Sequence, residues 1–358
     1  MMRVDFSSLR DFIAAALRQL GMPDADAGSV AALMAEADLQ GSDGHGVMRL
    51  PQYARRIRAG GFNLHPDMRV VQERPGMALL DGDNGMGHLV MSRAAELAIA
   101  KARVAGVGWV GARMSNHAGP ASLYARMPLA HDMIGMYFAV GNANHLPPWG
   151  GLDMLLSTNP IAVAVPAGSE APVVLDMATT VAAYGKVKTK AQRGEMMPEG
   201  WMIDREGRPL TDPRRADEGF LLPIGGYKGY GLALIVGLLA GTLNGAALGR
   251  DVVDFNHDDS SLTNTGQAIL AIDLAAFGDI QAFKDRVDAV IGELRGSRRM
   301  PHVERIWLPG EQSHARRIEY LRDGIPIAAA LRQNLERLAD ELGIARLGSA
   351  SSPAPPAG

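Results

Sequence analysis

Gly106-Val107-Gly108-Trp109-Val110-Gly111 is a literal G-x-G-x-x-G, and its setting decides the fold. In the dinucleotide fingerprint this spacing leaves a strand and opens a helix, so that a pyrophosphate meets a helix N-terminus. Here the order is reversed. Residues 92–105 carry a helical apolar face and come before the glycines. Trp109 and Val110 are strand formers in the place where a helix should open. The segment reads as a helix end followed by a strand, so we set a Rossmann domain aside. No G-x-x-x-x-G-K-[ST] loop occurs either. A dinucleotide, if bound, is bound another way.

Working outward, the chain from residue 76 alternates short apolar strands with helices. Strands are expected at 78–81, 107–111, 133–140, 161–165, 173–175, 267–274 and 303–308, and helices at 92–105, 121–132, 180–193 and 280–295. The segment 229–243 reads as a buried helix; its Gly/Ala-rich apolar run, 231–243, is about a dozen residues and too short for a membrane span, which needs roughly twenty. Residues 1–75 read mostly helical. Ser7 or Ser8 is the expected cap of a first helix bearing Phe12, Ile13, Ala16, Leu17 and Leu20, and a second helix opens near Asp24 or Asp26. A third runs to about Ala59, and a strand follows around 68–72. Residues 311–343 return to helix, with Leu331, Leu335, Leu338 and Leu342 at helical spacing. The tail 349–358, rich in Pro, Ala and Ser, cannot build a core and is expected to be disordered. These elements predict an α/β (α+β) chain, with a helical domain at 1–75, a sheet domain at 76–310 and C-terminal helices at 311–345 packing on the N-terminal region.

Composition narrows the function classes. With 36 Lys and Arg against 39 Asp and Glu, the net charge of −3 leaves no electrostatic footprint for nucleic acid or an acidic membrane. Cysteine is absent, which excludes disulfides, thiolate catalysis and Cys-based zinc sites and fits a reducing, cytoplasmic setting. Arg10, Asp11 and Arg18 interrupt the first helix, so it lacks the apolar region of a signal peptide. His257-Asp-Asp259 is the only local His/carboxylate cluster; it lies in a polar loop, and no metal site is expected.

Several segments could carry chemistry. Gly41-Ser-Asp-Gly-His45-Gly-Val-Met-Arg49-Leu-Pro-Gln-Tyr53 spaces His45, Arg49 and Tyr53 at intervals of four. On a helix such residues share a face. A guanidinium grips a carboxylate through two parallel hydrogen bonds, an imidazole moves a proton near neutral pH, and a phenol adds a directional bond. The plain alternative is a turn histidine with surface Arg and Tyr. Ser115-Asn-His117-Ala-Gly119 follows a strand, which makes His117 a second acid/base candidate or a helix cap. His145 lies in a Pro/Gly-fixed polar loop that also reads as an ordinary rigid turn. Asp176-Met177-Ala178-Thr179-Thr180 runs from a strand into the expected helix; its hydroxyls and N–H groups suit a phosphate or simple N-capping. Gly225-Gly-Tyr227-Lys228-Gly-Tyr-Gly231 places a Lys before an apolar helix, as a phosphate contact or a tight turn.

Taken together and in this order, Asp43-Gly-His-Gly-Val-Met-Arg-Leu50, Ser115-Asn-His-Ala-Gly119, Pro148-Trp-Gly-Gly151, Ser157-Thr-Asn-Pro-Ile-Ala162, Leu175-Asp-Met-Ala-Thr179, Pro198-Glu-Gly-Trp201 and the 225–233 run resemble the type 2 malate/L-lactate dehydrogenase family. The resemblance covers roughly residues 40 to 310. It implies a non-Rossmann cofactor domain on a largely antiparallel or mixed sheet, NAD or NADP as cofactor, a small carboxylate substrate and a homodimer. By position His45 and His117 match the family's histidines and Arg49 its carboxylate-binding arginine, with Tyr53 beside it. Asp176, Met177, Ala178, Thr179, Thr180, Tyr227, Lys228, Gly310 and Glu311 match cofactor-contacting segments. Two departures stand out. Gly44 replaces the family's usual Ser before the first histidine, and Val140-Gly-Asn-Ala143 replaces a common Asn-Ser.

The implied chemistry is hydride transfer between nicotinamide and a 2-oxo/2-hydroxy acid of the malate or lactate type, with His45 or His117 moving the proton. Reduction of a cyclic imine 2-carboxylate is a second reading on the same scaffold. A non-catalytic small-acid binding protein is a third, and a cofactor-free lyase using two histidines a fourth.

Overall fold

A computed structural model describes residues 2–348, and the expected disordered tail at 349–358 lies outside them. The chain divides into two compact units. One takes in Met1–Gly60 and the segment from Ser313 on; the other is Gly61–Gln312.

The first unit is built on α1 (Phe6–Gln19) and α2 (Asp24–Leu39), which pack closely together. Leu9, Phe12, Ile13, Ala16 and Leu17 of α1 are buried, as are Val30, Ala31 and Met34 of α2. The cap of α1 is Asp5, whose carboxylate accepts the Ser8 N–H at 2.9 Å, in place of Ser7 or Ser8. After α2 come a single 3-10 turn (Val47–Arg49) and α3 (Leu50–Arg58). The C-terminal region is broken by Gly324 at φ +85° and a strand, Ile325–Ile327, which pairs antiparallel with Met2–Val4. Helix Glu311–Asp323 therefore ends before helix Ala329–Leu342 begins. Arg317 grips Glu36 of α2 at 2.6 and 3.2 Å, and Arg58 of α3 meets Glu341 at 3.0 Å.

The second unit is organised by a seven-stranded mixed sheet. Its strands are β1 (Arg69–Arg74), β2 (Met77–Asp81), β3 (Val107–Ser115), β4 (Met133–Ala139), β5 (Ile161–Val165), β6 (Val173–Met177) and β7 (Thr265–Asp273). They lie in the order β1-β2-β3-β7-β4-β5-β6. Residues 61–75 thus belong to this unit, because β1 pairs with β2 at the sheet edge. Only β2 and β3 run parallel among the described strands of this sheet; the other neighbours are antiparallel. A parallel pair needs a crossover, supplied here by helix α4 (Gly87–Ala105).

The 106–111 glycines now have structural reasons that involve no phosphate. Gly106 is the left-handed C-cap of α4, at φ +78°. Gly108 lies under α4, where a Cβ would stand 2.0 Å from the Ala98 carbonyl oxygen. Gly111 faces the Asn244 side chain, which would be 2.0 Å away. Side chains alternate along β3, so Gly108 meets α4 on one face while Trp109 packs on the other. There Val236 and Ala240 of α5 (Tyr227–Ala240) cluster with Phe138, Val140 and Ala268.

Four local expectations are corrected. The helix expected at 121–132 is a four-residue turn, Ser122–Ala125, followed by a 3-10 segment, Met127–His131, with Pro128 at its start. The helix expected from 180 begins at Tyr184, because Thr180 is drawn into a β-bridge with Pro223. Residues 303–308 form no strand: the segment has no ladder partner among the described residues. The helix read as buried is covered on one face only, through Gly229, Ala233, Val236, Gly237 and Ala240, while Ile235 stays 53% exposed.

The contact between α4 and β3 depends on the missing side chain at residue 108. Gly108→Ala is expected to lower the unfolding free energy by about 1–3 kcal/mol, as overpacking does. Urea unfolding checks this, and a wild-type midpoint would show that the helix is not held against the sheet there.

Candidate functional site

In the first unit the segment between α2 and α3 carries three of the sequence-predicted residues on a fixed turn. The His45 N–H donates to Ser42 O at 2.8 Å, and the Arg49 N–H to Gly46 O at 2.9 Å. His45 precedes the 3-10 turn, Arg49 closes it, and Tyr53 lies inside α3. The Arg49 Nε–H donates to Gly44 O at 2.8 Å, and Nη1–H to Gln52 Oε1 at 2.7 Å. These bonds fix the stem of the guanidinium, and among the described residues no bond is made from its Nη2.

Electrostatics here follow from lost hydration. Burial, helped by the Arg49 charge, pulls the His45 pKa from 6.5 down to about 4. The imidazole is therefore neutral at pH 7 and able to accept a proton. Tyr53 is fully buried, and burial pushes its hydroxyl pKa up, so it remains a phenol. On α2, Asp38 is 4% exposed and accepts the Val47 N–H at 2.7 Å.

In the second unit, His117 follows a kinked strand end. Met114 sits at φ +47°, unusual for a long side chain, and its N–H is held by Asn264 Oδ1 at 2.8 Å. Beyond the kink, Ser115 and Asn116 are fully buried in a polar network. The Ser115 hydroxyl donates to Gln267 Oε1 at 2.6 Å, and Gln267 Nε2–H to Asn116 O at 3.1 Å. Asn116 Nδ2–H reaches Asn84 Oδ1 and Gly85 O, both at 3.0 Å, and Thr263 Oγ1–H donates to Asn116 Oδ1 at 2.9 Å. The His117 ring stacks on Phe255 with centroids 5.4 Å apart. His145 stacks on Tyr184 at 4.1 Å, and burial holds its pKa down at about 4.

The expected cofactor segments also lie in this unit. Asp176 Oδ2 accepts the Ser122 N–H at 2.8 Å, and Met177 ends β6 opposite Ile161. Ala178 leads out of the strand. Thr179 Oγ1–H donates to Thr158 O, and Thr180 Oγ1–H to Ala182 O. With the next helix starting only at Tyr184, Thr179 and Thr180 are not at a helix N-terminus. Gly225 and Gly226, at φ +59° and +65°, lead into α5, whose first turn has no side-chain cap. Lys228 and Tyr227 are exposed there. Uncapped N–H groups beside an exposed ammonium form a donor set that fits the phosphates of a dinucleotide. Gly310, at φ +89°, lies against Val174, and Pro309 O accepts the Val174 N–H at 3.0 Å. Glu311 closes that turn through the Leu308 N–H and is gripped by Arg295 at 2.6 Å. In the 257–259 loop, Asp258 accepts the Ser260 and Ser261 N–H groups.

The sequence reading passes over Asp38, Gln52, Asn116 and Gln267. Asp38 has one visible signal. It is an acid in the last turn of an Ala/Leu-rich helix, where the helix dipole disfavours negative charge. Asn116 and Gln267 give none, since a polar side chain on a strand or just past its end reads as solvent-facing until its burial is known.

A family model for malate/L-lactate dehydrogenase matches residues 4–336. The chain is 40% identical over 351 residues to malate dehydrogenase of Pyrococcus horikoshii, covering 96% of each. The solved structure of that enzyme superposes with a TM-score of 0.89 over 97% of each chain. L-sulfolactate dehydrogenase of Methanocaldococcus jannaschii is 37% identical over 328 residues, 92% of this chain and 94% of the relative. Delta1-piperideine-2-carboxylate reductase of Pseudomonas syringae pvar. tomato is 29% identical, with a TM-score of 0.82 over 96% of this chain and all of that one. Further relatives include NAD(+)- and NADP(+)-dependent dehydrogenases. On this match of sequence and fold along nearly its whole length, the chain belongs to the malate/L-lactate dehydrogenase family.

Proposed function

We propose that this protein is an NAD(P)-dependent oxidoreductase acting between a small 2-hydroxy acid and its 2-oxo acid. The observation that carries the reading is the 44–53 turn. A neutral histidine and an arginine that among the described residues makes no bond through Nη2 are fixed within it by Ser42, Gly44 and Gln52. Bound nicotinamide supplies the hydride acceptor or donor. The residues supply orientation and proton transfer. Arg49 holds the substrate carboxylate and Tyr53 supports it. His45 or His117 takes the hydroxyl proton during oxidation and returns it during reduction. Lys228, Tyr227 and the Asp176, Met177, Ala178, Thr179 and Thr180 segment, with Gly310 and Glu311, are the proposed cofactor contacts. A second reading, reduction of a cyclic imine 2-carboxylate, is favoured by the similarity to the Pseudomonas reductase.

We also propose a cytoplasmic homodimer. No helix among the described residues is long and apolar enough to cross a membrane. Yet α5 leaves Leu232, Ile235 and Leu238 exposed by 36%, 53% and 39% on an otherwise apolar helix. A second copy would cover such a stripe.

Three outcomes test these assignments. The purified protein should oxidise NADH or NADPH with a 2-oxo acid, in a panel that also holds cyclic imine carboxylates. Arg49→Gln should raise KM for the acid and lower kcat/KM by about two orders of magnitude, as expected for a lost charge-assisted bidentate contact. Turnover with imines alone would transfer the assignment to the second reading.

The pH profile divides the two histidines. If His45 is the base, kcat/KM for oxidation stays flat from pH 8 down and falls only as pH approaches His45's value of about 4. A limb at higher pH that disappears in His117→Gln assigns the proton to His117 instead.

Light scattering reads the assembly. The wild type should run at twice the chain mass, and Ile235→Glu should shift it to the monomer. A monomeric wild type removes the dimer.

A further inference from the structure

Asp38 occupies an unfavourable place for an acid. It is buried near the C-terminal end of α2, where both lost hydration and the helix dipole oppose a negative charge. Among the described residues no Lys or Arg forms an ion pair with it. Its carboxyl group makes two close approaches to the turn that follows. Oδ2 accepts the Val47 N–H at 2.7 Å, although Val47 opens a 3-10 turn whose own N-cap, Gly46, has no side chain to offer. The same group lies against the Gly46 backbone, where a Cβ would meet the Asp38 Cγ and Oδ1 at 2.2 Å. Asp38 thus stands in for the missing cap from a neighbouring element, and residue 46 must be glycine to admit it. His45 directly precedes this contact, and Arg49 follows it by two residues, bonded through its N–H to Gly46 O.

We propose that Asp38 is a positioning residue of the dehydrogenase site. Through the Val47 amide and the face of Gly46, its carboxyl group sets the backbone that carries His45 and Arg49. The inference rests on the reading of that turn as the substrate site. Burial raises the Asp38 pKa well above the ordinary carboxylate value. A neutral acid suits the role, which needs an acceptor oxygen of the right shape and no charge.

The test compares Asp38→Ala, Asp38→Asn and Gly46→Ala in the full-length protein with its cofactor, using two readouts. The first is kcat and KM on whichever acid or imine of the panel the wild type turns over. The second needs no turnover: the titration of the His45 imidazole by NMR, its signal assigned by loss in His45→Gln. Asp38→Ala should lower kcat/KM by about 10²-fold, the scale of a misplaced catalytic group. It should also move the His45 midpoint from about 4 toward 6.5. Asp38→Asn keeps the acceptor and should restore both. Gly46→Ala drives a methyl group into the carboxyl from the other side and should reproduce the loss, even where Asp38→Ala fails to fold. The proposal is overturned if Asp38→Ala or Gly46→Ala behaves as wild type in both readouts. It is equally overturned if Asp38→Asn is as impaired as Asp38→Ala, which would mean that charge is what matters. Should the wild type turn over nothing in the panel, the dehydrogenase reading fails while the His45 titration still decides the role of Asp38.

Discussion

The second unit depends on satisfying the buried polar groups at the end of β3. The strand leaves regular geometry at Met114, and a kinked backbone inside a protein exposes N–H and C=O groups that water cannot reach. Asn116 resolves this by bonding the 84–85 turn on one side and Thr263 on the other. Gln267, in the adjacent strand β7, ties the same backbone through Ser115 and Asn116 O. A network of this kind is all or nothing. Removing one member leaves others desolvated and unpaired, at about 1–3 kcal/mol each. The segment carrying His117 is therefore fixed by side chains that make no claim to chemistry themselves.

The first unit solves a similar problem with fewer groups. Between α2 and α3 the chain has a short, glycine-rich passage in which to present a histidine and an arginine. Backbone bonds at Ser42 and Gly46 set the turn, and Gly44 O with Gln52 sets the guanidinium. Gly44 stands where relatives of this family usually have Ser, so the missing hydroxyl is one place where substrate preference can differ. On the proposed reading the protein supplies rigidity and charge at the substrate carboxylate, while the redox chemistry belongs to the dinucleotide.

Much of the sheet was legible because its strands are short apolar runs of β-branched and aromatic residues. The order of elements around Gly106, helix before and strand after, excludes a Rossmann domain, and a spacing motif ignores that order. The strand expected at 303–308 failed because residue preferences cannot supply a pairing partner. The run at 229–243 reads as wholly buried because hydropathy does not say which face of a helix is covered. Asp5, in place of Ser7 or Ser8, caps α1, which moves that boundary by two or three residues. In the candidate site, spacing alone brought out His45, Arg49 and Tyr53, and the ordered set of motifs gave them meaning. Asn116 and Gln267 give no signal because what they do lies in burial and in partners distant in sequence, and the acid at Asp38 gains its meaning only from its burial.

The most direct measurement follows the hydride itself. NADH and NADPH carrying deuterium at both positions of nicotinamide C4 would be incubated with the protein and a mixture of small 2-oxo acids, and the products read by mass spectrometry and NMR. Hydride transfer to the 2-oxo carbon predicts deuterium at C2 of a 2-hydroxy acid, in step with oxidation of the dinucleotide. Dinucleotide oxidised without deuterium at C2, or 2-hydroxy acid formed without label, would contradict it.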